Sequence, residues 1–278
     1  MDKKIFYAQY RGSFLPVDSW EGFVQSTYSK AINLLHPSGI IISIVDSIDN
    51  MTDYGLTVTK FSSLVSRVSY GIQFLWEDDR IIFPDIIVDL SGASVWSGNP
   101  CKFSYGSPGN IVQIKHAFIE LAPAEGFSPV ISNMAGNIYS NAAGKIIEKA
   151  VETVVIQGGM LLDLSPLIGM GIGFTPSGDD FLAGIMLYEA VSGVDLINRK
   201  CIKDKLAGTT AGGRTLLILA LRNSFPFYLK QFAESVYTGD IYPEEAVEKA
   251  IMHGSTSGSD ALTGFLWAAE KIVKKRLN

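Results

Sequence analysis

Thr175-Pro-Ser-Gly-Asp-Asp-Phe-Leu-Ala-Gly184 returns later in the chain as Ser255-Thr-Ser-Gly-Ser-Asp-Ala-Leu-Thr-Gly264. Each copy has Ser, Gly, Asp, Leu and Gly at the same steps and runs on into an apolar segment, so the pair reads as one loop-to-helix start built twice. Ser177 with Asp180, and Ser257 with Asp260, have the spacing of a capping box. A helix that starts in this way exposes unpaired N–H groups and the positive end of its dipole, which attract phosphate or carboxylate. Gly178 and Gly258 are expected to leave that backbone open to a ligand. Asp179 has Ser259 as its counterpart and is therefore available for a separate role. With Asp180 it would hold Mg²⁺, or act as a general base. The plain structural reading stands beside this one. Capping boxes open many helices that carry no chemistry, and Gly184 and Gly264, about two turns on, also suit a close helix crossing.

Outward from the motifs, the hydrophobic period divides the chain. Ile40 to Val45, Gly55 to Lys60, Ile86 to Leu90 and Ile111 to Ile114 are short β-branched runs bounded by turn residues, as strands are. Trp20 to Leu35, with Phe23, Tyr28, Ala31, Ile32 and Leu35 on one side, reads as a helix among them. Beyond Ser128 the spacing becomes helical: Ile138 to Ala150, Phe181 to Val191, Thr215 to Arg222, Phe227 to Val236, Glu244 to Met252 and Ala261 to Lys275. The expected class is α+β, with a β-rich N-terminal half, sheet or open barrel, and a mainly α-helical C-terminal half. The Pro123-Ala-Glu-Gly-Phe-Ser-Pro129 punctuation puts the boundary between a β-rich domain, 1–125, and a helical domain, 126–278, that carries both motifs.

Composition bounds the function. With 278 residues, 47% apolar and 18% charged, the chain can bury a large core without staples. A net charge of −5 and the lack of a Lys/Arg-rich run give no electrostatic reason to expect nucleic acid or a membrane surface. Cys101 and Cys201 have no CxxC spacing, and the N-terminus has no signal-peptide core, so a cytoplasmic protein is expected. His36, His116 and His253 share no ligand spacing. His253 alone stands beside a motif, where it is a candidate to touch ligand. Thr209-Thr-Ala-Gly-Gly-Arg214 precedes another helix; Arg214 is a candidate clamp for phosphate or carboxylate. The nucleotide-binding and GxSxG patterns are absent.

Residues 171–184 together with 253–264 resemble the signature pair of the bacterial DUF2877 family, associated with the AllH subunit of oxamate carbamoyltransferase. The resemblance implies a role in allantoin and purine nitrogen breakdown. There an assembly of different subunits converts oxalurate and phosphate to oxamate and carbamoyl phosphate. On this reading Asp179, Asp180 and Asp260 are the catalytic candidates. Thr175, Ser177, Gly178, Arg214, His253, Ser255, Ser257 and Gly258 would hold the anionic substrate, and Mg²⁺ is the one cofactor suggested. Two alternatives stay open: a non-catalytic structural subunit whose motifs are caps, and a stand-alone Mg²⁺-dependent phosphoryl or acyl-phosphate enzyme.

Overall fold

The computed structural model describes residues 3–102, 111–132, 134–157 and 161–277. The chain divides into two compact units, Met1–Gly98 and Asn99–Asn278.

The first unit is built from β1 (Lys4–Gly12), β2 (Trp20–Thr27), β3 (Ala31–Leu35), β4 (Ile41–Val45) and β5 (Gly55–Val58), then a short helix α1 (Phe61–Val65), and then β6 (Gln73–Glu77), β7 (Arg80–Ile82), β8 (Ile86–Asp89) and β9 (Ser94–Trp96). The order β5-β4-β3-β2-β6-β7-β8-β1-β9, with β5 pairing back onto β1, closes the sheet into a barrel. Two strands turn its corners. The first half of β1 pairs with β8 and the second half with β5; β2 likewise leaves β6 for β3. Each carries an irregularity at the change, between Ala8 and Tyr10 and between Val24 and Ser26, and such bulges let one strand serve two sheets. Closure pairs β5 on both sides and leaves β9, bonded to β1, as a short edge strand.

The expected helix at Trp20 to Leu35 is therefore wrong: the segment is β2, a turn and β3. Phe23 and Tyr28, taken as part of an apolar helical face, are exposed, while Val24, Ile32 and Leu34 are wholly buried in the barrel core. Ladder pairing on both sides outweighs the accidental helical spacing. Inside the barrel wall Asp53 is fully buried, and it accepts the Ser13 N–H (3.1 Å), the Ser13 hydroxyl (2.7 Å) and the Gly98 N–H (2.8 Å). Asp53→Ala leaves the buried Gly98 N–H and the two Ser13 donors without this acceptor and is expected to cost about 2–3 kcal/mol. Denaturant unfolding that shows less than about 1 kcal/mol would rule out this latch.

The second unit comprises α2 (Ile111–Leu121), α3 (Ile138–Gln157), α4 (Ser177–Ser192), α5 (Arg199–Asp204), α6 (Ala211–Leu221), α7 (Phe227–Thr238), α8 (Pro243–Ile251) and α9 (Ser257–Leu277). Ile111 to Ile114, expected as a strand, is the first turn of α2, whose buried Ile114, Ala117 and Phe118 follow helical spacing. The other helical runs fall in α3, α4, α6, α7, α8 and α9 as expected. Helix α4 is buried on every side and forms the axis of this unit, packed by α9, α6 and α7. Its one buried carboxylate near the C-terminus, Glu189, accepts the Leu196 and Ile197 N–H groups at 2.6 and 2.8 Å and a two-pronged contact from Arg199 at 3.0 and 3.1 Å. Among the described residues no helix is long and apolar enough to cross a membrane.

Candidate functional site

Both motif copies meet at one place, because α4 and α9 cross through their glycines. A β-carbon on Gly184 would overlap the Ala261 carbonyl oxygen, and one on Gly264 would overlap that of Phe181. Phe181 and Ala261 are equivalent positions of the two copies. Equivalent residues thus meet in exchanged roles, which is the signature of a local two-fold relation. The loops ahead of the helices repeat as well. The Gly178 N–H donates to the Met170 carbonyl at 2.8 Å and the Gly258 N–H to that of His253 at 3.0 Å. A β-carbon on these glycines would overlap the Leu167 and Ala250 carbonyl oxygens respectively.

These contacts change the roles expected of four residues. Gly178 and Gly258 open the backbone to the chain's own carbonyls and not to a ligand. Ser177 is the first helical residue rather than the cap, a place taken by Pro176, and no side chain caps α4. The Ser–Asp relation of the capping box is exchanged between copies: the Ser177 hydroxyl bonds Asp260, while those of Ser257 and Thr175 bond Asp180. Thr175 Oγ1 and Ser257 Oγ lie 2.9 Å apart, tying the two loops together.

Asp180 and Asp260 are 1% and 0% exposed. Burial, and then the charge of Asp260, hold the Asp180 carboxyl well above the usual carboxylate range, against the pull of its hydroxyl partners. Burial likewise raises Asp260 to about 6, although it accepts the Phe127 N–H on Oδ1 at 2.5 Å and bonds from Ser177 and Thr256. The second oxygen of each, Oδ2, is buried and has no hydrogen-bond partner. Tyr228 stands beside them: burial and both carboxylates push its phenol well above the usual range. Its ring stacks on His253, with centroids 3.8 Å apart and planes at 13°. The structure thus brings His253 to the site through Tyr228.

Asp179 serves a different contact. It accepts the Gly169 N–H on Oδ1 at 3.0 Å and the Thr209 hydroxyl on Oδ2, while Gly213 lies against Oδ2 with no room for a β-carbon. Burial raises its pKa too. Each oxygen thus already accepts one donor of the chain's own. Among the described residues no group of three His, Cys, Asp or Glu could hold a metal ion. The Thr209 to Arg214 segment does reach the first motif, but by its hydroxyls and glycines: Thr210 caps α6 through the Gly213 N–H and donates to the Phe174 carbonyl at 2.6 Å. Arg214 Nε donates to the Leu206 carbonyl at 3.2 Å, and among the described residues no ion pair links it to a motif carboxylate. Ser255 is exposed on the second loop.

Sequence reasoning missed Gly126, Phe127, Tyr228 and Asn137. The punctuation read as a boundary is part of the site wall: Gly126, at φ +63°, fits against Asp260, and Asn137 Nδ2 holds its carbonyl at 2.7 Å. The one available signal was the glycine in Glu-Gly-Phe, a residue suited to a left-handed turn. A surface groove of about 520 Å³ on the barrel unit, bordered by Lys3, Glu21, Phe23, Gln73 and Phe83, contains none of the motif residues.

Residues 167–269, which include both motifs and their loops, match the family described as oxamate carbamoyltransferase subunit AllH, the family that the motif pair resembles. No curated protein and no solved structure matches the chain.

Proposed function

With the AllH match over residues 167–269 as premise, we propose that this chain is a subunit of an oxamate carbamoyltransferase and contributes Asp180 and Asp260 as its acid–base pair. One observation supports this above the rest: two buried carboxyl groups, both raised in pKa, stand at the starts of two crossed helices and are each bonded by a serine hydroxyl of the other copy. Two buried carboxyl groups this close cannot both ionise freely, so one keeps its proton while the other can lose it, which divides acid from base.

The reaction needs that division. When an oxygen of hydrogen phosphate bonds to the carbamoyl carbon of oxalurate, the bond from that carbon to the oxamate nitrogen breaks, and the proton on phosphate must finish on that nitrogen. Asp260, ionised above about pH 6, would accept the proton, and Asp180 would donate one to the departing nitrogen. The dyad ends with the same number of protons as it began. This reading assigns no step to Mg²⁺; it gives Asp179 the task of holding the Gly169 N–H and the Thr209 hydroxyl.

In the assembled enzyme, Asp180→Asn is expected to lower kcat by about 10²- to 10⁴-fold while the fold is kept. Wild-type activity should also fall as pH drops through about 6, where Asp260 gains its proton. A second reading draws on the near-complete burial of the pair: a structural subunit in which the acids only staple the helices. An Asp180→Asn enzyme with unchanged kcat and a flat profile between pH 5 and 8 would favour that reading.

A further inference from the structure

We propose that the Asp180–Asp260 site recognises the N–H groups of a neutral amide or ureido function, and that the charges of the phosphate are held by groups outside this pair, within proton-transfer reach of Asp260. The inference rests on the functional reading above and says which end of the substrate this site takes. Its starting point is the pair of Oδ2 atoms, buried and without partners. A buried acceptor left unpaired is costly; with the Asp180 proton on Oδ1, toward the Ser257 and Thr175 hydroxyls, both Oδ2 atoms remain acceptors and call for a ligand or water that donates twice. An NH₂ group has two donors in one plane; phosphate at neutral pH presents mainly acceptors.

The surroundings point the same way. Among the described residues no lysine or arginine forms an ion pair with Asp179, Asp180 or Asp260. The helix-start N–H groups of Gly178 and Gly258, which an anion would use, already bond the Met170 and His253 carbonyls. Arg214 turns to the Leu206 carbonyl. An anion placed here would meet buried carboxyl groups with no counter-charge, whereas a neutral amide adds donors and no charge. The half-buried Tyr228 and His253 pair and the exposed Gly254 and Ser255 mark the side from which such a group would enter.

Titration calorimetry on the full chain at pH 7 tests this with three probes: oxamate, N,N-dimethyloxamate and inorganic phosphate. The first two share a carboxylate and differ in N–H donors. Oxamate is expected to bind saturably, the dimethyl compound at least about tenfold more weakly, and phosphate not to compete. Asp260→Asn, which puts an NH₂ where an acceptor stood, is expected to weaken oxamate by a similar factor, with its thermal unfolding confirming the fold. Equal binding of the two oxamates, competition by phosphate, or no oxamate binding at any concentration would overturn the proposal, the last leaving buried water as the partner of the Oδ2 atoms. The functional reading fails separately: oxamate that binds as described in an assembly that transfers no carbamoyl group would sink that reading and leave this one standing.

Discussion

Gly264→Ala is expected to destabilise the helical unit by at least about 3 kcal/mol, the upper part of the range for overpacking a core. The added methyl would overlap the Phe181 carbonyl oxygen and crowd the Phe181 backbone, and backbone inside a fully buried helix cannot rotate aside as a flexible side chain can. The only relief is to part α4 from α9, which separates Phe181, Phe265 and Leu262 from their neighbours and pulls Ser177 from Asp260 and Ser257 from Asp180. Gly184→Ala should cost about as much, because it meets the Ala261 carbonyl in the equivalent way. Gly144 is the control: it sits in α3, a β-carbon there meets nothing within 4 Å, and Gly144→Ala should gain roughly 0.5–1 kcal/mol from helix propensity. Urea unfolding of the three variants decides the matter. If Gly264→Ala lost no more than about 1 kcal/mol, the two copies would not be locked through their glycines.

How much of this could be read beforehand depends on the range over which each signal acts. The helices of the second unit were legible because helical period is local, and α4 was placed by the apolar run that starts at Phe181. The repeated Ser-Gly-x-Asp pattern also showed that one structure had been built twice. What the spacing could not say is which Asp each Ser serves. Ser177 and Asp180 are three apart in any helix start, and only the crossing at Gly184 and Gly264 redirects each hydroxyl to the other copy. The errors have the same origin. Trp20 to Leu35 has enough apolar residues to suit either period, and the choice is made by ladder partners in β4 and β6. Gly126 was taken for punctuation because its partner, Asp260, lies far along the chain. The Thr209 segment was read as an anion-binding element through Arg214, whereas its contact with the first motif runs through a hydroxyl: Asp179 accepts from Thr209, and Arg214 bonds the Leu206 carbonyl.

Asp260→Asn is expected to make the protein more stable than wild type at neutral pH and no more stable in acid. A carboxyl whose folded pKa is raised stabilises the fold fully below its unfolded value and loses that contribution as pH rises through the folded value. For Asp260 the window runs from its ordinary 3.8 to about 6, and the loss is on the order of 3 kcal/mol, because the group must then carry charge away from solvent. Asparagine never ionises, so the variant escapes the loss. Its carbonyl still accepts the Phe127 N–H, and its NH₂ takes the place of the Oδ2 that has no partner. The difference in unfolding free energy between variant and wild type should therefore lie near zero at pH 4, grow through pH 6 and level off above about pH 7 at roughly 1–3 kcal/mol. Taking the difference cancels every other titrating group, including Asp89 and Asp163, whose lowered pKa values act in the opposite direction on the total. A difference that stays flat from pH 4 to 8 would mean that Asp260 is not held protonated by its burial, and would remove the acid–base pair on which the functional reading stands. A difference that rises while activity falls would show that the site keeps a destabilising carboxylate for its chemistry.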